Sequence, residues 1–101
     1  MNLKRKVAVV GATGAVGDTM LKVLNERKFP ISELVPLASE RSVGKLVQFG
    51  RHEFEVQNLA TYDFARTDIA LFSAGSAVSK QYAPIAAKAG CVVIDNTACF
   101  R

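Results

Sequence analysis

A chain of 101 residues, half of them hydrophobic, is long enough for one domain with its own core, which excludes a disordered segment. No apolar run approaches the ~20 residues of a membrane span, and residues 1–6 lead into a β-branched strand rather than a signal-peptide core, so a cytoplasmic setting is expected. The net charge of +4 comes from residues 1–50, with eight Lys/Arg against four Asp/Glu; it suits a small anionic ligand and, lacking a basic face interleaved with aromatics, not a nucleic acid.

Residues 6–10 read as a short, buried, valine-rich strand. From Ala15 the apolar positions Val16, Met20, Val23 and Leu24 recur at helical spacing. This helix runs to about Arg27 and Lys28, whose charge suits a helix C-terminus, and Phe29-Pro30 stops it. A second strand at 34–38 contains Pro36, which points to a place near a sheet edge. Residues 46–49 and 53–57 flank Gly50-Arg51-His52 and read as a hairpin. Two more apolar strands follow at 69–73 and 92–95. Between them a helix at about 79–89 is closed by Gly90. Pro84 deletes a hydrogen bond of that helix unless it falls in the first turn, so its start stays open.

No repeat, low-complexity tract or linker divides the chain, so residues 1–101 are expected to form one domain. The order of elements predicts an α/β fold: a Rossmann-like, doubly wound, mainly parallel sheet with a β-hairpin at one edge. Ligands of such sheets bind outside the carboxyl ends of the strands, here after Val10, Ala38, Phe72 and Ile94.

The first of those places holds Gly11-Ala12-Thr13-Gly14-Ala15-Val16-Gly17. Glycine takes positive φ and lets other groups come close to the backbone. Gly11 would make the turn, Gly14 would admit a ligand, and Gly17 would let the helix pack on the sheet. Bare N–H groups at the helix start then favour a pyrophosphate, to which Thr13 can add a hydroxyl. The spacing is G-x-x-G-x-x-G rather than G-x-G-x-x-G, and its strand-before, helix-after context is what points to a dinucleotide.

After the second strand come Ser39, Glu40, Arg41 and Ser42. An arginine here accommodates a ribose 2′-phosphate, as in NADP, and the two serines add hydroxyls; Glu40 is the residue that would hold an unmodified ribose instead. Ser73-Ala74-Gly75-Ser76 reads equally as a close approach to a nicotinamide or as a plain polar turn. Asn96 and Thr97 could cap or bind, and Arg101 could clamp an anion or simply be a surface charge. Cys91 and Cys99 lack metal-ligand spacing and His52 stands alone, so no metal site and no disulfide are expected. Cys91 should be inert core. Cys99 has no histidine beside it and is not expected to be a nucleophile.

"VGATGAVG", "LASERSVG", "DIALFSAG", "YAPIAAKAGCVVIDN" and "FR", in that order, resemble the N-terminal part of the bacterial aspartate-semialdehyde dehydrogenase family over residues 6–101. The resemblance implies NADP as cofactor and the interconversion of aspartate 4-semialdehyde plus phosphate with 4-phospho-aspartate. That reaction serves lysine, methionine, threonine and diaminopimelate synthesis. It also implies that Thr13, Gly14, Ala15 and Val16 bind the pyrophosphate, and that Arg41 and Ser42, with Ser39, bind the 2′-phosphate. Ser73, Ala74 and Gly75 would line the path of the nicotinamide ribose, with Asn96 near the nicotinamide. Arg101 would bind phosphate or the acyl phosphate.

The chain departs from the family's "DNTS" by carrying Ala98 and then Cys99 after Asn96-Thr97, which removes or replaces a hydroxyl near the nicotinamide. The family's nucleophilic cysteine and acid/base histidine would lie beyond Arg101. This segment is therefore expected to hold cofactor for thioester chemistry without performing it alone. The longer protein would be a homodimer acting on a small molecule and phosphate. Alternatives are an N-acetyl-gamma-glutamyl-phosphate reductase, which shares the glycine turn, and a non-catalytic module sensing NADP(H); "LASERS" and "IDNT" favour the aspartate reading over the former.

Overall fold

The computed structural model describes residues 5–26, 31–73 and 76–95. Along them run β1 (Arg5–Val10), α1 (Ala15–Glu26), β2 (Ile31–Ala38), β3 (Leu46–Phe49), β4 (His52–Glu55), β5 (Gln57–Asn58), β6 (Ile69–Phe72), α2 (Ser76–Lys88) and β7 (Val92–Asp95). Single 3-10 turns at Glu40–Ser42, Leu59–Thr61 and Phe64–Arg66 fill three of the connections.

The valine run of β1 forms the middle of the molecule because both of its faces are covered. Strand side chains alternate. Val7 and Val9 join Met20 and Leu21 of α1, with Leu34 and Leu71, on one face. Ala8 and Val10 join Val35, Leu37, Phe72 and Ala86 of α2 on the other. A strand buried on both sides reads as a continuous apolar run, as this one does.

Five strands form a parallel sheet in the order β5-β2-β1-β6-β7. The chain leaves β1 toward β2, then crosses to the other side of β1 for β6 and β7. With α1 on one face and α2 on the other, the sheet is doubly wound, as expected. The strand order reverses at β1, which makes its carboxyl end the crevice that such sheets use for ligands.

The hairpin is present as its own two-stranded antiparallel sheet, β3-β4. Gly50, at φ 63°, permits its two-residue turn. Val47, Phe49 and Phe54 pack against the α1-side cluster, so the hairpin lies over that face. The strand expected at 53–57 divides in two: β4 ends at Glu55, Val56 is buried, and Gln57 crosses to pair with β2.

Pro36 fits its place. The Leu37 carbonyl accepts from Gly11 and Ala12 and so faces β1; by alternation Pro36 faces the opposite side, where β5 begins pairing only at Leu37. Strand two is thus one strand from the edge. Helix α2 begins three residues earlier than the sequence suggests, at Ser76, which puts Pro84 in its interior with the ring exposed. The deleted bond is tolerated on that solvent-facing side. Gly90, at φ 101°, ends the helix as expected: its N–H donates to Ala87 and that of Cys91 to Ala86, the Schellman pattern. Arg27, Lys28, Phe29 and Pro30, read as the end of α1, lie outside the described residues.

Candidate functional site

The turn between β1 and α1 is built by its glycines in three different ways. Gly11 has φ 85°, and its N–H donates to the Leu37 carbonyl at 2.8 Å, which ties the turn to β2. Gly17 is buried, and a Cβ there would collide with the Gly11 carbonyl and come within 2.8 Å of the Ala12 Cα. Gly14 is exposed, and a Cβ there would meet only the Gly11 carbonyl at 3.5 Å, an ordinary contact. Positive φ therefore explains Gly11 and internal packing explains Gly17, but neither requires Gly14.

Hydrogen bonding tells the same story. The Gly14 N–H donates to Gly11 and the Gly14 carbonyl accepts from Asp18, which makes Gly14 the N-cap of α1. The Thr13 N–H has no backbone partner among the described residues, and Ala15 and Val16 fall in the first turn of α1, where a helix supplies its own N–H groups with no acceptor. Three backbone donors at a helix start are the equipment of an anion site.

Thr13 and Gly14 of this turn border a cavity of about 580 Å³ outside the carboxyl ends of β1, β2 and β6. Gly11, Thr13 and Gly14 form one wall, and Ser39 and Glu40 at the end of β2 form another. Asn58, Leu59 and Ala60, Ser73, and Val78 and Tyr82 of α2 close the rest. The cavity is polar beside the turn and apolar toward Leu59, Val78 and Tyr82, a division that suits phosphates at one end and a flat heterocycle at the other. The Ser73 hydroxyl donates to the Val10 carbonyl at 2.8 Å, and its N–H donates to the same oxygen at 3.0 Å. Ser73 thereby joins the ends of β1 and β6 at the cavity floor.

Of the residues expected from the sequence, the structure brings Gly11, Thr13, Gly14, Ser39 and Ser73 to this cavity. Gly17 supports the turn from behind. Arg41 is exposed and Ser42 half-buried, and neither lines the wall. Successive side chains of a 3-10 turn project about 120° apart, which fits Glu40 bordering the cavity while the next two residues do not. Ala74, Gly75, Asn96 and Arg101 lie outside the described residues, as do Ala98 and Cys99. Asn58, Leu59 and Ala60 were not legible as site residues. A two-residue strand, β5, carries them there, and its only sequence signal is Asn58, whose side-chain oxygen accepts the Ala60 N–H at 3.0 Å.

A second hollow of about 620 Å³ lies on the far flank of the same turn, between α1 and β3. Thr13 and Gly14 border both, but this one lies beside the sheet rather than at its strand ends. Its charged residues are exposed, and Lys22 pairs with Asp18 at 3.3 Å.

Among the described residues no group of His, Cys, Asp and Glu could hold a metal, and no helix is long and apolar enough to cross a membrane. Cys91 is a free, buried thiol that donates to the carbonyls of Thr67 at 3.1 Å and Phe64 at 3.3 Å. Burial pushes its pKa up, and the negative charge of Asp68 adds to the shift. A thiol held protonated is core, not a nucleophile.

Comparison with known proteins agrees with this geometry. The family model described as semialdehyde dehydrogenase, NAD binding domain, matches residues 6–101. The aspartate-semialdehyde dehydrogenase of Legionella pneumophila is 63% identical over the whole chain, which covers 29% of that relative. Aspartate-semialdehyde dehydrogenase 2 of Vibrio cholerae is 56% identical, with 30% of its length covered. Among solved structures, aspartate semialdehyde dehydrogenase II complexed with ASA from Vibrio cholerae superposes with a TM-score of 0.91 at 57% identity, over 96% of this chain and 32% of that one. A probable aspartate-semialdehyde dehydrogenase from Pseudomonas aeruginosa gives 0.89 at 39% identity, over 97% of this chain and 29% of that one. The chain thus spans about a third of the length of these relatives. With a matching model over residues 6–101, it belongs to the semialdehyde dehydrogenase NAD-binding domain family.

Proposed function

We propose that this chain holds NADP for an enzyme that interconverts aspartate 4-semialdehyde plus phosphate with 4-phospho-aspartate. The observation that carries the reading is the Thr13 N–H at the start of α1, without a backbone partner among the described residues, beside an exposed Gly14 that packing does not require. Together they fit a pyrophosphate, and the relatives are named for aspartate semialdehyde. When bound, the nicotinamide supplies a hydride acceptor. The chain's own part is to fix the dinucleotide: the turn holds the linked phosphates, and the apolar wall of Leu59, Val78 and Tyr82 shields a flat ring from water. Ser39, Arg41 and Ser42 supply hydroxyls and a planar fork of donors at the end of β2 for the 2′-phosphate; Arg41, exposed and without an ion pair among the described residues, reaches it from outside the wall. Asn96 and Arg101 face nicotinamide and phosphate in this reading. The thiol that attacks the aldehyde is neither Cys91, which is buried, nor any other described residue.

A melting assay of the 101-residue chain tests this. At about 100 times its dissociation constant, NADP should stabilise the fold by about 2.7 kcal/mol, and duplex DNA should do nothing. Arg41→Ala should weaken NADP far more than NAD. No shift with either dinucleotide overturns the reading.

A further inference from the structure

We propose that Glu40 reads the hydroxyls of the adenosine ribose, so that this site accepts NAD alongside NADP and Glu40 sets the ratio between them. The inference rests on the dinucleotide reading above and deepens it. In a doubly wound sheet the residue at the end of the second strand meets the ribose: an acidic one accepts from the 2′-hydroxyl, a basic one accommodates a 2′-phosphate. Here the sequence offers both types side by side, and the structure separates them. Glu40 lines the cavity; Arg41 does not. Successive residues of a 3-10 turn project about 120° apart, so the two side chains leave the turn in different directions.

Glu40 makes no ion pair with any described residue, so its charge is not neutralised by a fixed neighbour. An ionised carboxylate offers only acceptors. Facing two ribose hydroxyls it gains two donors; facing a ribose that carries a 2′-phosphate it loses one of them and meets a like charge. Arg41 pulls the other way from the rim. NADP is thus attracted by one residue and opposed by its neighbour, while NAD is opposed by neither. Ser39, whose side chain makes no capping bond, stands next to Glu40 on the same wall and is free to serve either ribose.

Calorimetric titration of the chain and of Glu40→Gln with NADP, NAD and 2′-deoxy-NAD tests this. The variant keeps size and polarity at an exposed position, so its melting temperature should match the unaltered chain. We expect it to tighten NADP and weaken NAD, shifting their ratio by about tenfold or more, the scale of one charged hydrogen bond. NAD should bind the unaltered chain better than 2′-deoxy-NAD does, and the gap should close in Glu40→Gln. If both dinucleotides bind and the ratio is unchanged in the variant, or if NADP binds and NAD does not, the role given to Glu40 is wrong and the dinucleotide site stands. If no dinucleotide binds the unaltered chain, the site itself is wrong.

Discussion

Gly14 and Gly17 are the same residue type three positions apart in one turn, yet the space around them assigns opposite duties. A methyl at Gly17 would press on the Gly11 carbonyl and the Ala12 Cα, both backbone atoms that cannot swing aside. Gly17→Ala should therefore cost about 3 kcal/mol of stability, the upper range of overpacking, read by urea denaturation. A methyl at Gly14 meets only an ordinary contact. Its backbone is not at positive φ. Gly14→Ala should keep its stability to within about 1 kcal/mol, the cost of a poorer N-cap, while dinucleotide affinity collapses because the methyl occupies ligand space. Equal loss of stability in both variants would mean that Gly14 serves the turn alone. The glycine spacing is visible in the sequence, but this division of labour is not, because it depends on which side of the turn the helix packs.

At the scale of elements, what was legible was whatever repeats. The valines of β1 and the helical spacing of α1 mark buried faces, and β1, the start of α1 and the apolar run of β7 lie within a residue of their expected bounds. The stretch 57–68 has no such period: a two-residue strand and two single 3-10 turns are held by local bonds, Asn58 to Ala60 and Asp63 to Ala65, rather than by a patterned face. One wall of the site comes from this stretch, and so it went unread. The early start of α2 was hidden for a related reason, since Pro84 argues against a helix that tertiary packing nevertheless sustains. That stretch, α2 and β7 meet at Cys91, whose thiol bonds to Phe64 and Thr67 and whose N–H closes α2. The thiol's pKa lies above its ordinary 9.0 in the fold, through burial first and Asp68 second. Its contribution to stability is complete below the unfolded value and is lost as pH rises through the raised one. Between about pH 8 and pH 10 the melting temperature should thus fall more steeply in the unaltered chain than in Cys91→Ala; parallel curves would show that the junction does not feel the thiol's charge.

Across the whole molecule, stability and binding sit at different places on the same sheet. The core is centred on β1, where Val9 is fully buried, and thins toward β7, where Val92 is 60% exposed. Val9→Ala should cost about 2–3 kcal/mol, and Val92→Ala under about 0.5 kcal/mol. Binding instead belongs to the strand ends, where the turn after β1 is fastened by bonds to Leu37 and Ser73 rather than by Val9's side chain. A dinucleotide at fixed multiples of its dissociation constant should then add the same increment to the stability of Val9→Ala as to that of the unaltered chain, since separate sites add. The check is a pair of denaturant curves for each protein with and without NADP. A smaller increment in Val9→Ala would mean that the donors of Thr13, Ala15 and Val16 are aligned by the packing of β1 itself, so that core and turn form one cooperative unit and the glycine loop has no rigidity of its own.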